Sequence, residues 1–355
     1  MISSDPTVNR RAREILQNAI STYVNTGKPV GSRRIARHNR ESLSPATVRN
    51  IMADLEELGY LRQPHHSAGR IPTDKAYRLY VDDLLNRVEI KPEDRAVLDR
   101  DLQPDDNVEH MMARVSQVLS RVSQNLGIVV SPPISQIALQ HIQFVRLSDK
   151  RILVVIVSRS GIVQDRVIHS EEDFSQAELE QAARFLIEHF KDKTLYEIRA
   201  LVLGMIRQER ARYDRFIRRV ITLSARTFAE TADEIDAAVF LDGASNLMKT
   251  PEFSDINKLR VLLEAIEHKS RLALLISQCI QRDTQEVRIT IGAENALPGI
   301  EDCTLITSPF ALDERTRGSV GILGPTRMEY ARTISLVEYA AKLLSSILAK
   351  QTEKP

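Results

Sequence analysis

Residues 44–60 read SPATVRNIMADLEELGY, and this stretch decides how the rest of the chain is understood. It has the marks of a helix with both ends signed. Ser44 is a good N-cap, Pro45 stands at the first helical position where its missing N–H leaves nothing unpaired, and Gly59 suits the left-handed residue that closes a helix. At 100° per residue, Val48, Ile51, Met52, Leu55 and Leu58 fall on one arc, and Ala46, Asn50, Ala53 and Glu57 fall opposite, with Thr47 and Arg49 on the flanks. The first arc is a core face. The opposite face, in its N-terminal half, sets small residues beside Asn50 and Arg49, which suits close approach to base edges: asparagine pairs with adenine and arginine with guanine. Taken alone, the segment reads more simply as an ordinary amphipathic surface helix; its neighbours turn the reading toward DNA.

Upstream, residues 10–25 (RRAREILQNAISTYVN) place Ile15, Leu16, Ala19, Ile20, Tyr23 and Val24 at helical spacing. The connection TGKPVGS breaks that helix with Gly27, Pro29 and Gly31, and Ser32 can cap a second one through RRIARHN. Three helices in this order form a helix-turn-helix plan. Downstream, in YLRQPHHSAGRIPT (residues 60–73), stretches 60–63 and 70–73 can pair as short strands around a small polar loop. A hairpin carrying Arg62, His65, His66 and Arg70 beside a recognition helix is a wing, which offers a second contact to backbone or minor groove. Adjacent histidines could instead suggest a metal pair, but their side chains diverge and no third ligand is near.

Charge agrees with this reading. The chain of 355 residues has a formal net charge of only +1, yet residues 1–80 hold 13 Lys and Arg against 7 Asp and Glu, and the remainder 36 against 41. A basic end joined to a mildly acidic body is what phosphate binding by that end requires. Hydrophobic content of 43% and charged content of 27% describe a globular protein of two or three domains. The opening MISSDPTVNRR lacks the apolar run of a signal peptide, and no segment approaches about 18 uninterrupted apolar residues, so a cytoplasmic location is expected. Two cysteines, Cys279 and Cys303, are too few for a disulfide framework or thiolate metal site and are expected as buried thiols.

Residues 74–88 continue as a helix with Tyr77, Leu79, Tyr80, Val81, Leu84 and Leu85 apolar around much of it, leading out of the basic module. The charged stretch 91–107, with Pro92 and Pro104, reads as a linker with a short helix about which the module would pivot. Residues 108–126 carry an apolar stripe of Val108, Met111, Met112, Val115, Val118, Leu119, Val122 and Leu126 that either covers a sheet or pairs with its copy in a second subunit. Stretches 138–149, 151–161 and 162–170 have strand character and form a meander; 286–295, 302–312 and 318–326 follow much later. Together these six predict one sheet, interrupted by a block at about 172–280 that is mostly helical, with a short strand at 236–243 inside that block. The last helix, 327–350, is amphipathic and either caps the sheet or serves a dimer.

The stretch 43–85 and PVGSRRIA (29–36) before it resemble the N-terminal region of the bacterial heat-inducible transcription repressor HrcA family, and RITIGAEN (288–295) and GSVGILGPTRMEYARTISLVEYAAKLLSSIL (318–348) resemble its C-terminal region. Two positions depart from the family's usual pattern: Ile51 where an acidic residue is common, which its core position should absorb, and His66 where threonine is common, which could make wing contacts pH-sensitive. The resemblance implies an α+β protein with an N-terminal winged helix-turn-helix domain (1–88), a linker (89–107), a GAF-like antiparallel sheet domain in two segments (108–171 and 281–350), and a mainly helical dimerisation domain (172–280) inserted into it. It further implies a homodimer that binds double-stranded DNA at an inverted repeat upstream of chaperone operons, the CIRCE element, and a chaperonin partner, GroEL, that keeps the repressor active. On this plan Arg49 and Asn50 read bases; Lys28, Ser32, Arg33, Arg34, Ser44 and Thr47 hold phosphates; and His65, His66, Ser67 and Arg70 act from the wing.

The chain offers little to an enzyme reading. GSVGILGPTR lacks the GK[ST] ending of a phosphate loop, GAEN is a turn rather than a nucleophile elbow, and the 8 histidines form no HExxH or HxH pattern, so neither a cofactor nor a metal is expected. A small-molecule-gated regulator, with a ligand in the GAF-like sheet, is the alternative of a different class.

Overall fold

The computed structural model describes residues 8–38, 43–65, 68–84, 88–105, 107–159, 161–208, 215–229, 237–280, 287–313 and 316–352. The chain forms an N-terminal winged helix module, a five-stranded sheet layered between helices, and a separate three-stranded sheet with helices of its own.

In the module, α1 (Arg10–Thr26) starts at Asn9, whose side chain accepts from the Ala12 N–H at 2.9 Å, and closes at Gly27 with φ +63°. Helix α2 (Ser32–His38) already includes Ser32, and the Gly31 carbonyl accepts the Ile35 N–H, so Ser32 lies in the first turn rather than capping it. Helix α3 (Pro45–Glu57) is capped by Ser44, whose hydroxyl accepts from Thr47 N–H at 3.1 Å. At its other end Gly59 takes φ +77° and the Tyr60 N–H reaches back to the Leu55 carbonyl at 2.8 Å. Val48, Met52 and Leu55 are buried and Ile51 is half-buried. Leu58, expected on the core arc, is 38% exposed, whereas Tyr60 and Leu61, each 2% exposed, are buried just after the helix end. Strands β1 (Leu61–Arg62) and β2 (Ile71–Pro72) pair antiparallel, and Val30 bridges Arg70 to tie the wing to the loop before α2. Helix α4 (Asp74–Leu84) leads out.

The expected pivot is a docked helix. In α5 (Pro92–Asp101), Leu98 and nearby Leu102 are buried. Asp94, 4% exposed, receives two hydrogen bonds of 2.8 Å from Arg332 of the last helix. A buried bidentate ion pair of this kind opposes free hinging, because separating it would strand a desolvated charge.

Helix α6 (Val108–Ser123) resolves its two options in favour of covering a sheet: Val108, Met111, Met112, Val115, Val118 and Leu119 are all buried. Its stripe ends earlier than the periodicity predicts, since Leu126 opens β3 (Leu126–Val130). Strands β4 (Leu139–Arg146), β5 (Arg151–Ser158) and β6 (Val163–His169) make a meander in that order. Helices α7 (Gln176–Phe190), α8 (Leu195–Gln208) and α9 (Arg215–Ala229) follow, with α7 against β4. Then come β7 (Val239–Asp242), α10 (Ala244–Met248), α11 (Ile256–Glu267), α12 (Lys269–Ile280), β8 (Arg288–Ile291), β9 (Cys303–Ala311), β10 (Arg317–Pro325) and α13 (Tyr330–Thr352).

The single six-stranded sheet expected from the pattern is replaced by two. One has the order β7-β3-β10-β9-β8, the other β4-β5-β6, all pairs antiparallel. The strand within 236–243 therefore belongs to the main sheet, paired with β3, rather than to the helical block. Leu126, Ile128 and Val130 of β3 join a core with Leu262, Leu272 and Ile276 of α11 and α12, while Val129 joins the core shared with α6 and α13. The sheet is thus buried on both faces, a three-layer arrangement. Among the described residues no helix is long and apolar enough to cross a membrane.

Candidate nucleic-acid interface

The N-terminal half of α3 presents an exposed face free of acid. Ser44, Pro45, Ala46, Thr47, Arg49 and Asn50 are all exposed, and the first turn carries no Asp or Glu. Asp54 and Glu57 lie in the C-terminal half, where Glu57 is exposed. The helix thus presents its positive dipole end without a compensating side-chain charge, and keeps its carboxylates about two turns away. The Ser44 and Thr47 hydroxyls lie 2.9 Å apart, both at the helix mouth, where they can also donate to a phosphate oxygen. Among the described residues, none covers this face.

Basic side chains frame it. Lys28, in the loop after α1, and Arg33 and Arg34 on the first turn of α2 are exposed; Ser32 is half-buried. Alternation along β1 buries Leu61 and turns Arg62 outward, so Arg62 joins the candidate surface by the period-two pattern of a strand. His65 is exposed at the wing, whereas His66 and Ser67 lie outside the described residues.

Arg70 is placed differently from the other wing residues. Its Nε donates to Glu56 Oε2 on α3 at 2.8 Å, and its side chain is only 18% exposed. Its backbone exchanges two hydrogen bonds with Val30, at 2.8 and 2.9 Å. Gly69 beside it approaches so closely that a Cβ would lie 2.6 Å from the Val30 carbonyl carbon. Arg70 therefore braces the wing against α3. Sequence reading misses this because Glu56 sits on the flank of α3, with no local signal that a residue 14 positions on would return to it. Gln63 adds a second brace, donating to the Ala68 carbonyl at 2.8 Å across the hairpin. Behind α3, Lys75 donates to the Leu58 carbonyl at 3.0 Å and lies 4.3 Å from the Tyr60 ring centre, so it supports the helix end rather than facing outward with the others.

Among the described residues no group of three or more His, Cys, Asp or Glu is placed to hold a metal ion. Cys303 is buried, and burial pushes its thiol up to about 12, far from a reactive thiolate. The Cys279 side chain lies outside the described residues.

Comparison with known proteins follows the same division. Residues 7–83 match the family described as winged helix-turn-helix transcription repressor, HrcA DNA-binding, and residues 109–334 match the HrcA protein C terminal domain. The heat-inducible transcription repressor HrcA of Geobacter sulfurreducens is 40% identical over 343 residues, covering 96% of this chain and 98% of its own. That of Syntrophobacter fumaroxidans is 36% identical over 349 residues, covering 98% and 99%. A crystal structure of a hypothetical protein, solved at 2.2 Å, superposes with a TM-score of 0.63 at 23% identity, covering 97% of this chain and 99% of that one, and so shares the fold.

Proposed function

Because the chain belongs to the HrcA family of heat-inducible transcription repressors, we propose that it represses chaperone operons as a homodimer bound to an inverted-repeat operator of the CIRCE type. It is a winged helix transcription repressor and not an enzyme. The observation that supports the operator reading best is the exposed, acid-free N-terminal half of α3, framed by Lys28, Arg33 and Arg34.

In this reading Arg49 and Asn50 enter the major groove. Lys28, Ser32, Arg33, Arg34, Ser44 and Thr47 hold phosphates, and His65, His66 and Ser67 act from the wing, with Arg70 bracing it. Dimerisation follows from magnitude. A good side chain–base pair supplies about 1–3 kcal/mol of discrimination, so two readers give about 2–6 kcal/mol. Specific sites are typically preferred by about 4–10 kcal/mol over random DNA. One module reaches only the lower part of that range, whereas two, at about 4–12 kcal/mol, span it, which is why a palindrome matches a two-fold dimer. We assign the GAF-like body to α6–β3 with β7–α13 and the inserted dimerising part to the segment between β3 and β7, rather than to the 172–280 expected from sequence, because β7 pairs with β3. The GroEL chaperonin maintains the active repressor, and its diversion to other clients under heat releases the operons.

A gel shift on the chaperone-operon inverted repeat, with and without GroEL, tests the whole reading: the fraction of chain that binds should rise when the chaperonin is present. An unchanged fraction removes the chaperonin from the scheme. Arg49→Ala should weaken specific binding by about 1–3 kcal/mol per half-site and leave random DNA nearly unaffected. Arg34→Ala should weaken both, and flatten the salt dependence by about 0.9 in slope for each phosphate no longer neutralised. Equal losses on specific and random DNA for Arg49→Ala would refute its role as a base reader.

A further inference from the structure

The two C-terminal motifs RITIGAEN and GPTRM take no part in the DNA face, yet both end on the winged helix module. The last turn of the first motif sits under α4. Asp74 Oδ2 accepts from the Ala293 N–H at 3.3 Å, and a Cβ on Gly292, where φ is +56°, would lie 1.9 Å from that same oxygen. Only glycine allows both the backbone conformation and the approach of Asp74. One turn along α4, Arg78 donates through Nε to Glu294 Oε1 at 2.8 Å and through Nη2 to the Ile289 carbonyl at 2.7 Å, with a further bond to Glu294 Oε2. Burial alone would raise the Glu294 carboxyl; the hydrogen bonds from Arg78 and the Ile291 N–H outweigh it and hold the group below the usual carboxylate range.

The second motif grips the far side. Arg327 Nη1 donates to the Val24 carbonyl, in the last turn of α1, at 2.8 Å, while its guanidinium lies over Gly27 and pairs with Glu252. Between these grips the Tyr77 ring packs 5.4 Å from that of Tyr330. The junction is thus polar as well as apolar, and it is incompletely paired: among the described residues the buried Tyr77 hydroxyl and Glu252 Oε2 have no hydrogen-bond partner. The apolar core of the module runs on into that of the body, with Tyr77 and Tyr330 in one cluster, so these polar contacts add direction to a junction that burial already holds.

We propose that Asp74, Arg78, Gly292, Glu294 and Arg327 form a latch that fixes the orientation of the winged helix on the body and thereby sets the half-site spacing a dimer can read. These are positioning residues: each touches the other domain and none belongs to the DNA face. The proposal rests on the dimeric reading above. A rigid module presents its recognition helix at one separation from its two-fold mate, so the latch converts body geometry into a spacing requirement on DNA.

The test uses the full chain and an inverted repeat selected by the wild-type protein from a random-sequence library. Binding is measured to that repeat, to the repeat with about five base pairs inserted at its centre, half a helical turn, and to one half-site alone. Wild type should lose at least about tenfold on insertion. Arg78→Glu should keep half-site binding within about twofold, while its insertion penalty falls to within about threefold, and Glu294→Arg added to it should restore most of the penalty. Gly292→Ala should behave like Arg78→Glu, and Asp74→Ala added to it should relieve the clash without restoring the penalty. Wild-type spacing discrimination in both single variants overturns the latch, as does equal loss on half-site and full repeat. If wild type itself shows no spacing preference, the dimeric reading fails, and hydrogen exchange still decides the latch: amides of α4 and β8 must exchange faster in Arg78→Glu and slow again in the charge swap, and no change overturns it.

Discussion

Gly69→Ala should detach the wing from its root. The added methyl would sit 2.6 and 2.7 Å from the carbonyl carbon and oxygen of Val30 and 2.8 Å from the Pro29 carbonyl carbon, all backbone atoms that cannot rotate aside. Relief requires the 69–70 segment to withdraw, and withdrawal breaks the two hydrogen bonds between Val30 and Arg70, of 2.8 and 2.9 Å. Each is worth about 0.5–1.5 kcal/mol net. The Arg70–Glu56 pair, 2.8 Å long and mostly covered, goes with them and adds about 0.2–1 kcal/mol. The sum, about 1.2–4 kcal/mol, is small beside the stability of a whole chain but large for a hairpin. Measured by hydrogen exchange with mass spectrometry, Val30 and Arg70 should exchange about ten- to several-hundredfold faster, and the amides of α13 should not change. DNA affinity should fall while α3 keeps its N-terminal cap, because the partner of Ser44 is Thr47 within the helix itself. Gly31→Ala is the control: a Cβ there meets nothing within 4 Å. Exchange at Val30 and Arg70 within about threefold of wild type in Gly69→Ala would show that close backbone approach does not hold the wing.

Three further outcomes follow from single sites. In a Cys279→Ser background, Cys303, buried and with its thiol pushed up to about 12, should resist a thiol reagent at a pH of about 8 until the chain unfolds, and rapid labelling of the native protein would contradict the packing. Glu178 closes a capping box on α7: hydrogen bonds from the Ser175 N–H and hydroxyl, at 2.9 and 2.8 Å, and from Arg219 lower its pKa from 4.5 to about 2. A depressed carboxylate stabilises the fold above its unfolded pKa, so protection of the first turn of α7 should fade as pH drops from 4.5 toward 2, and Glu178→Gln should abolish that pH dependence. Gly204 lies inside α8, and a Cβ there would meet nothing within 4 Å, so Gly204→Ala should raise stability in a denaturant melt. The gain expected is about 0.5–1 kcal/mol, and a loss would mean the site is tighter than the structure gives.

Reading from residues alone is strongest where a rule spans a few positions. The cap at Ser44, the left-handed Gly59 and the buried row Val48, Met52 and Leu55 each depend on neighbours no further than one or two turns away. The same holds for the alternating hairpin, in which Leu61 turns in and Arg62 out. Family membership is equally legible, because the wing motif and the GPTRM motif are unrelated local signals in one chain. The roles of single residues are less so: Arg70 reads as a DNA contact on the wing, and only the fold shows its side chain paired with Glu56, a carboxylate on another element.

What stays hidden depends on pairing between distant segments. Strand β3, LGIVV, is buried along its whole length, so it has no alternation to announce it, and its Leu126 passes for the end of the preceding helix. Periodicity reports that a face must be covered and is silent about the cover. It therefore cannot say that 139–169 forms its own sheet, that 239–242 crosses back to β3, or that Asp94 meets Arg332 across 238 positions. Those choices belong to shape and charge complementarity between surfaces that exist only once each element has folded. The latch is the same case: Gly292 is merely a turn residue until Asp74 is laid over it.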